Sequence, residues 1–390
     1  MIGVISLSFP IVGVGFSADR RTALELFFAN LSDDCGIAFV LVPHLNEEEA
    51  GALDEMLTGQ ARLPVIPIKD GMAVQPGYAY LAPADRYVEI INGTLRLRTP
   101  EYANGLRTPI DFFLRSLARD QGAGAIAIIM PGSESDGMLG IKEIRARFGM
   151  DMVLDESAVA HDGKPANGLV GWLADYLLPA ERMPAQLLSY TRDSTVWKAG
   201  DDPSLVKSCA PDVISKIFSI LQAKTGHDFS LYKKNTIYRR IQRRMHLRQM
   251  RSAADYVRCL ESNDDEAISL FNELLIHVTS FFRDLEAFEF LKKHPLPDLL
   301  SRNQLPDFRV WAPGCSTGEE VYSLAILLRE CLEELKLDCF VQIFGTDIDA
   351  AAIDTARAAL YPLTIAGEIA PGRLPAGVVL TFAGIDAQKQ

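Results

Sequence analysis

Phe308 to Leu328 reads FRVWAPGCSTGEEVYSLAILL. Arg309, Val310 and Trp311 favour a strand, Pro313 and Gly314 break it, and Cys315, Ser316 and Thr317 form a small-residue turn. After Gly318 an amphipathic helix begins, so the stretch predicts strand, glycine turn and helix, the opening of a nucleotide-type pocket. What fills the turn sets the ligand class. A pyrophosphate seated on the helix N-terminus would be repelled by Glu319 and Glu320, whereas those acids suit the helix dipole and a cationic ligand bearing hydroxyls. S-adenosylmethionine carries a sulfonium, an ammonium and a ribose, and no phosphate. A second strand, Phe340 to Gly345, ends at Thr346, Asp347, Ile348 and Asp349, and Asp347 is placed to accept hydrogen bonds from the ribose. Gly314 joins the expected cofactor contacts. Read singly, Glu319 and Glu320 could merely favour a helix start and Asp347 could cap the next helix.

Length and composition bound the rest. At 390 residues the chain exceeds one ordinary domain and suggests two or three. A net charge of −12 argues against a chain-wide role on nucleic acid or a membrane surface and leaves only local basic patches to explain. The six cysteines lack CxxC spacing, so neither a metal site nor a disulfide framework is expected, and a reducing cytoplasm is the natural setting. The apolar runs fall short of the ~20 residues a membrane span needs.

From Ile11 to about Arg192 strand and helix alternate. Ile11 to Phe16, Ile37 to Val42 and Ala125 to Met130 are continuously apolar, as strands buried on both faces of a parallel sheet must be. Helical stretches follow at Arg20 to Asn30, Glu47 to Thr58 and Leu139 to Phe148, which predicts an open, doubly wound α/β domain. A residue of hydrolytic type follows each strand: Ser17 in a Gly13-x-Gly15-x-Ser17 setting, His44 after IAFVLVP, and Asp136 within GSESDG. In such a sheet ligands bind outside the carboxyl ends of the strands, so the three side chains should share one crevice. There imidazole can remove the hydroxyl proton while the carboxylate orients the imidazole. His44 alone could be an idle loop histidine and Ser17 alone a helix N-cap.

Between Val213 and Lys293 the pattern is helical. Ile237, Ile241 and Met245 form a core stripe, while Lys233, Lys234, Arg239, Arg240, Arg243, Arg244, Arg248 and Arg251 crowd the other faces. Such a run on an acidic chain calls for an anionic partner, or else is a solvated face. Sparse aromatics and the lack of a reading motif count against nucleic acid. The polar stretch after Thr191 predicts domains at 1–192, 210–293 and 294–390, with a linker at 193–209.

Two resemblances stand on these residues. GCSTGEEVYSLA, FGTDID and LLIHVTSFFRD (Leu274 to Asp284) together resemble the chemotaxis-receptor glutamate O-methyltransferases of the CheR type, over about Ile214 to Tyr361. VGVGFSADRR, VPHLNEEE, VQPGYAYLAPAD, SESDGMLGIKEI and NGLVGWLADYLLPAERMPAQL resemble the catalytic domain of the chemotaxis methylesterases of the CheB type, in the version fused ahead of a methyltransferase. The first resemblance implies S-adenosylmethionine as methyl donor, with Thr279 and Arg283 contacting it, and acidic helices of a methyl-accepting receptor or sensor kinase as partner. The place often held by Asn is His277 here, and Phe281 and Phe282 read as core. The second implies Ser17 as nucleophile, His44 as base and Asp136 as orienting acid. No receiver domain precedes it in this sequence, so phosphorylation gating of the usual kind is not expected.

Departures from the patterns carry expectations of their own. Where two glycines usually follow the serine stand Ala18, Asp19 and Arg20, and the loop before the acid reads Gly132, Ser133, Glu134, Ser135. Side chains there obstruct an oxyanion site, and Asp19 and Glu134 bring negative charge to it, with Arg20 available to neutralise Asp19; loss of one oxyanion donor costs about 3 kcal/mol. An esterase half that keeps its triad but works weakly is expected. The later strands of a methyltransferase sheet are not legible after Tyr361, so the cofactor domain reads as about half present, C-terminally truncated. A two-activity adaptation enzyme is therefore expected, with a non-catalytic receptor-binding remnant, or a hydrolase of another small ester, as alternatives.

Overall fold

The computed structural model describes residues 9–32, 35–44, 63–100, 107–132, 136–155, 174–192, 211–250, 252–275, 279–302 and 307–361, with isolated residues 365, 369 and 373. The expected helix at 47–58, Ser133 to Ser135, His277 and the chain beyond 373 lie outside these. The chain divides near residue 276 into two compact units.

The strands of the first unit are β1 (Ile11–Ser17), β2 (Ala38–His44), β3 (Val65–Pro67), β4 (Met72–Ala73), β5 (Ala79–Leu81), β6 (Tyr87–Ile91), β7 (Thr94–Arg98), β8 (Ile126–Met130), β9 (Met150–Leu154) and β10 (Tyr176–Leu178). Among the described residues, seven form one parallel sheet in the order β10-β9-β8-β1-β2-β5-β3, and β4-β7-β6 make a small antiparallel sheet. Both faces of the large sheet are covered. On one, Val12, Val14 and Phe16 pack with Phe27 and Phe28 of α1 (Arg21–Ala29) and with Leu187; on the other, Ile11, Val40 and Ile129 pack with Phe113, Leu114 and Leu117 of α2 (Pro109–Gln121). The unbroken apolar strands follow from this double covering. Helices α3 (Met138–Ala146) and α4 (Met183–Arg192) complete the layers.

Gly13 and Gly15, which lie within β1, serve packing. A Cβ on Gly13 would stand 2.8 Å from Leu114, and one on Gly15 2.4 Å from Ile110. The glycines let α2 lie directly on β1.

Helices α5 (Pro211–Thr225), α6 (Lys234–Leu247), α7 (Ala253–Ser262) and α8 (Asp264–Leu274) gather around Ile237, Ile241, Met245, Tyr256 and Leu270. The apolar stripe of α6 is thus core. Of the basic residues in and beside it, Lys233, Lys234 and Arg248 are exposed, as a solvated face would be, and Arg251 lies outside the described residues, but Arg240, Arg243 and Arg244 are buried. Arg244 and Arg248 pair with buried Glu266, and Arg240 and Arg243 pair with Glu273. Tertiary folding brings acids from α8 to a segment that has none of its own.

The second unit contains α9 (Leu285–Lys293), α10 (Pro295–Arg302), β11 (Asp307–Pro313), α11 (Glu319–Leu335), β12 (Phe340–Thr346) and α12 (Ala350–Ala358). β11 and β12 run parallel, with Asp307 opposite Phe340 and Pro313 opposite Thr346. Among the described residues this sheet has two strands. Phe281 and Phe282 are buried in its core with Phe288, Leu327 and Leu328, as their apolar character suggests.

Candidate functional site

The first site lies at the carboxyl edge of the seven-stranded sheet, where strand order reverses between β1 and β8. Ser17 and His44 are the last residues of β1 and β2 and sit opposite each other in register, while Phe16 faces Met130, the last residue of β8. Asp136, six residues beyond β8, returns to the same edge, and its Oδ2 lies 2.9 Å from His44 Nδ1. The carboxylate is buried. The N-terminus of α2 grips it: Ile110 N donates to Oδ2 at 3.0 Å and Asp111 N to Oδ1 at 2.9 Å. Backbone amides at a helix start are a fixed seat for a carboxylate, so the imidazole's partner is held in place.

Two neighbours have roles the sequence does not assign: Asp111, which it passes over, and Gly132, which it offers only as part of the loop expected to obstruct an oxyanion site. Asp111 is buried, accepts from Gly140 N at 2.7 Å, and thereby joins the start of α2 to α3. Burial, and after it the charge of Asp136, raises its carboxyl well above the usual range. Gly132 is the other. A Cβ there would fall 2.1 Å from Ser17 Oγ, so side-chain-free backbone lies against the hydroxyl, the approach an oxyanion site requires. The signals for both, an acid just inside a Pro-started helix and a glycine after a strand, are common to many unrelated segments.

The Ser17 hydroxyl donates to Asp19 Oδ1. Asp19 is itself within 3.5 Å of Arg20, whose Nε donates to Pro131 O at 2.6 Å. The expected pairing of Arg20 with Asp19 is therefore present, and the acid remains engaged with the serine. Glu134 lies outside the described residues.

In the second unit the turn between β11 and α11 is closed by Asp347, which accepts from Ser316 N at 2.7 Å and from Asp349 N at 2.9 Å. Cys315 N donates to Thr346 O at 3.0 Å, so the two strand ends are tied together. Glu319 is buried and accepts from Thr317 Oγ1 at 2.5 Å; Glu320 is exposed. The Cys315 thiol is pushed up to about 11, by burial first and by Asp347, Glu320 and Glu319 after it, which sets all three acids around one turn. Gly314, with φ +68°, has open space where a Cβ would be. Ser316, Phe282 and Asp284 also take positive φ although none is glycine, and such backbone concentrates at ligand sites. Thr279 is half-buried and Arg283 exposed, on the segment whose Phe282 N donates to Ser323 Oγ of α11 at 2.9 Å.

Comparison with known proteins sorts these units. Residues 12–187 match the family model described as CheB methylesterase, residues 212–275 the CheR methyltransferase all-alpha domain, and residues 277–375 the CheR methyltransferase SAM binding domain. A CheB methylesterase domain is followed here by the two CheR domains. The chain is 32% identical, over 80% of its length, to an uncharacterized 104.1 kDa protein of Rhodobacter capsulatus, of which it covers 35%. It is 30% identical to a chemotaxis protein methyltransferase of Borreliella burgdorferi over 39% of this chain and 55% of that one. It is also 32% identical to a protein-glutamate methylesterase/protein-glutamine glutaminase of Burkholderia lata, over 46% of this chain and 53% of the relative. The chain thus spans about a third to a half of these relatives' lengths. Among solved structures it is similar to the Thermotoga maritima CheB methylesterase catalytic domain, at 28% identity and TM-score 0.42, covering 47% of this chain and 98% of that one. Among the described residues of the CheB and CheR domains, no helix is long and apolar enough to cross a membrane.

Proposed function

We propose that this chain is a chemotaxis adaptation enzyme that both removes and adds methyl groups at receptor glutamates, with the hydrolytic half restrained. The observation that carries the reading is the His44–Asp136 hydrogen bond at the strand edge where Ser17 ends β1. In the forward step Ser17 Oγ attacks the ester carbonyl, His44 takes the hydroxyl proton, and Asp136 stabilises the resulting imidazolium; the proton then goes to the departing methoxide, leaving an acyl-serine for water to hydrolyse. The same chemistry removes ammonia from a glutamine side chain. Because the hydroxyl is donated to Asp19, it must first leave that acid to reach His44. Asp19 also sets a negative charge beside a site that has to hold an anion, which supports weak turnover.

The donor set of the second unit fits S-adenosylmethionine: three acids around an open glycine turn suit a cationic ligand with hydroxyls, and repel a phosphate. When bound, that cosubstrate supplies a methyl group already activated on sulfur. Asp347, Glu319 and Gly314 would hold and orient it, with Thr279 and Arg283 beside them. A glutamate carboxylate, with a pKa near about 4.3, is ionised at neutral pH and needs no base from the protein. The work left to this unit is alignment.

Two assays test the reading. Calorimetry with S-adenosylmethionine is expected to show micromolar binding that Asp347→Ala abolishes, and hydrolysis of a glutamyl methyl ester is expected to be slow and to vanish in Ser17→Ala. Absence of methyl-donor binding with retained receptor capture would instead favour the non-catalytic alternative, and Ser17-dependent turnover restricted to a generic p-nitrophenyl ester a hydrolase of other substrates.

A further inference from the structure

Helix α6 is the most basic element of an acidic chain, and part of its charge is spent on the esterase domain. Arg243, 4% exposed, crosses into that domain: its Nε and Nη2 donate to Gly149 O at 3.0 and 2.8 Å, and Nη2 pairs with Asp175 at 2.5 Å. Its Nη1 stays on the helical side with Glu273 at 2.8 Å. Arg240 shares Glu273 at 2.7 Å, reaches Arg145 O at 3.4 Å, and lays its guanidinium 4.7 Å over the Phe148 ring. At the far end of α6, Leu247 joins the core of the seven-stranded sheet and its carbonyl accepts from Tyr176 Oη at 2.5 Å.

The charges on the two sides are complementary. In the esterase domain Arg145 contacts both Asp151 at 2.6 Å and Asp175 at 3.1 Å, and the buried Asp175 is the acid that Arg145 and Arg243 share across the dock. On the helical side one glutamate serves two arginines, which leaves a positive charge in excess. Undocked, that surplus is a guanidinium fork of the kind that takes carboxylates in pairs. We propose that the arginine face of α6 is a carboxylate-reading surface that this chain fills with its own esterase domain, so that an acidic helix of another protein engages α6 only when that domain is displaced. The occupancy in cis stands on the contacts above; the choice of an acidic helix as outside competitor rests on the proposed function.

The full chain tests this with a labelled Glu-rich helical peptide followed by fluorescence anisotropy, and with hydrogen exchange. Asp175→Asn is expected to bind the peptide about tenfold more tightly than wild type and to speed exchange across 237–247 about tenfold, while β1 and β8 stay protected. Arg243→Gln should show the same faster exchange with no gain in peptide binding, and it reports undocking independently if Asp175→Asn loses protection in β1 and β8. Unchanged exchange in α6 in both variants, or equal peptide affinity in wild type and a folded Asp175→Asn, overturns the proposal. Neither result bears on methyl-donor calorimetry, so failure here and failure of the enzymatic reading are distinguishable.

Discussion

Ser17 has a single hydroxyl proton, and it is donated to Asp19. Asp19→Ala should release it towards His44 and remove a negative charge from the anion site while leaving Arg20, so ester hydrolysis is expected to rise about tenfold, measured as kcat/KM. A fall would place Asp19 in the catalytic machinery. Asp111 behaves differently: it is buried, and burial first and the charge of Asp136 after it raise its carboxyl well above the usual range, while Asp136 is the acid that faces His44. Asp111→Asn preserves an acceptor for Gly140 N and is expected to melt close to wild type. Asp111→Ala leaves that amide unsatisfied and should cost about 1–3 kcal/mol in urea unfolding. The sequence named Ser17, His44 and Asp136 because each follows an apolar strand. It could not name Asp111, since an acid early in a helix is ordinarily read as a partner of the helix dipole.

At the scale of elements, α2 links packing to chemistry. Its N-terminal amides hold Asp136, and its Ile110 side chain rests where a Cβ of Gly15 would be. Gly15→Ala must push that end of the helix away, also meeting Ile129 at 2.9 Å, so a loss of about 1–3 kcal/mol in thermal unfolding is expected. Esterase activity should fall further than the folded fraction does, because the seat of Asp136 moves. The Gly-x-Gly-x-Ser spacing reads locally as a nucleophile turn. Its glycines answer to a helix that starts 94 residues later than Gly15, and no local pattern shows which element will cover a strand.

Across the molecule, the dock between esterase and helical domains sets a pH signature. Burial, and the charge of Asp175, outweigh Arg145 and push Asp151 up to about 7, whereas burial of Asp175 is outweighed by Arg243 and Arg145, which hold it at about 2. Between pH 4 and 7 the folded state keeps a proton on Asp151 that the unfolded chain has lost, so this group's contribution falls as pH rises. Below pH 4 the unfolded chain takes up a proton that Asp175 refuses, so stability falls as pH drops towards 2. Asp151→Asn should flatten the upper arm of a melting-temperature profile and leave the acid arm, and an unchanged upper arm would contradict the assignment. The sequence by itself determined five of the strands (β1, β2, β8, β11 and β12), the apolar double-sided character of the first three, the residues at their carboxyl ends and the acidic turn after β11, because these follow from periodicity and turn chemistry within about 20 residues, whereas the other strands, β3 to β7, β9 and β10, were not legible in it. Only the tertiary structure decided where the Ser17 proton goes, why Gly13 and Gly15 are glycines, and which acids answer the arginines of α6. Each of those depends on a partner far away in sequence, and the energy of a contact is fixed by what the fold brings within reach.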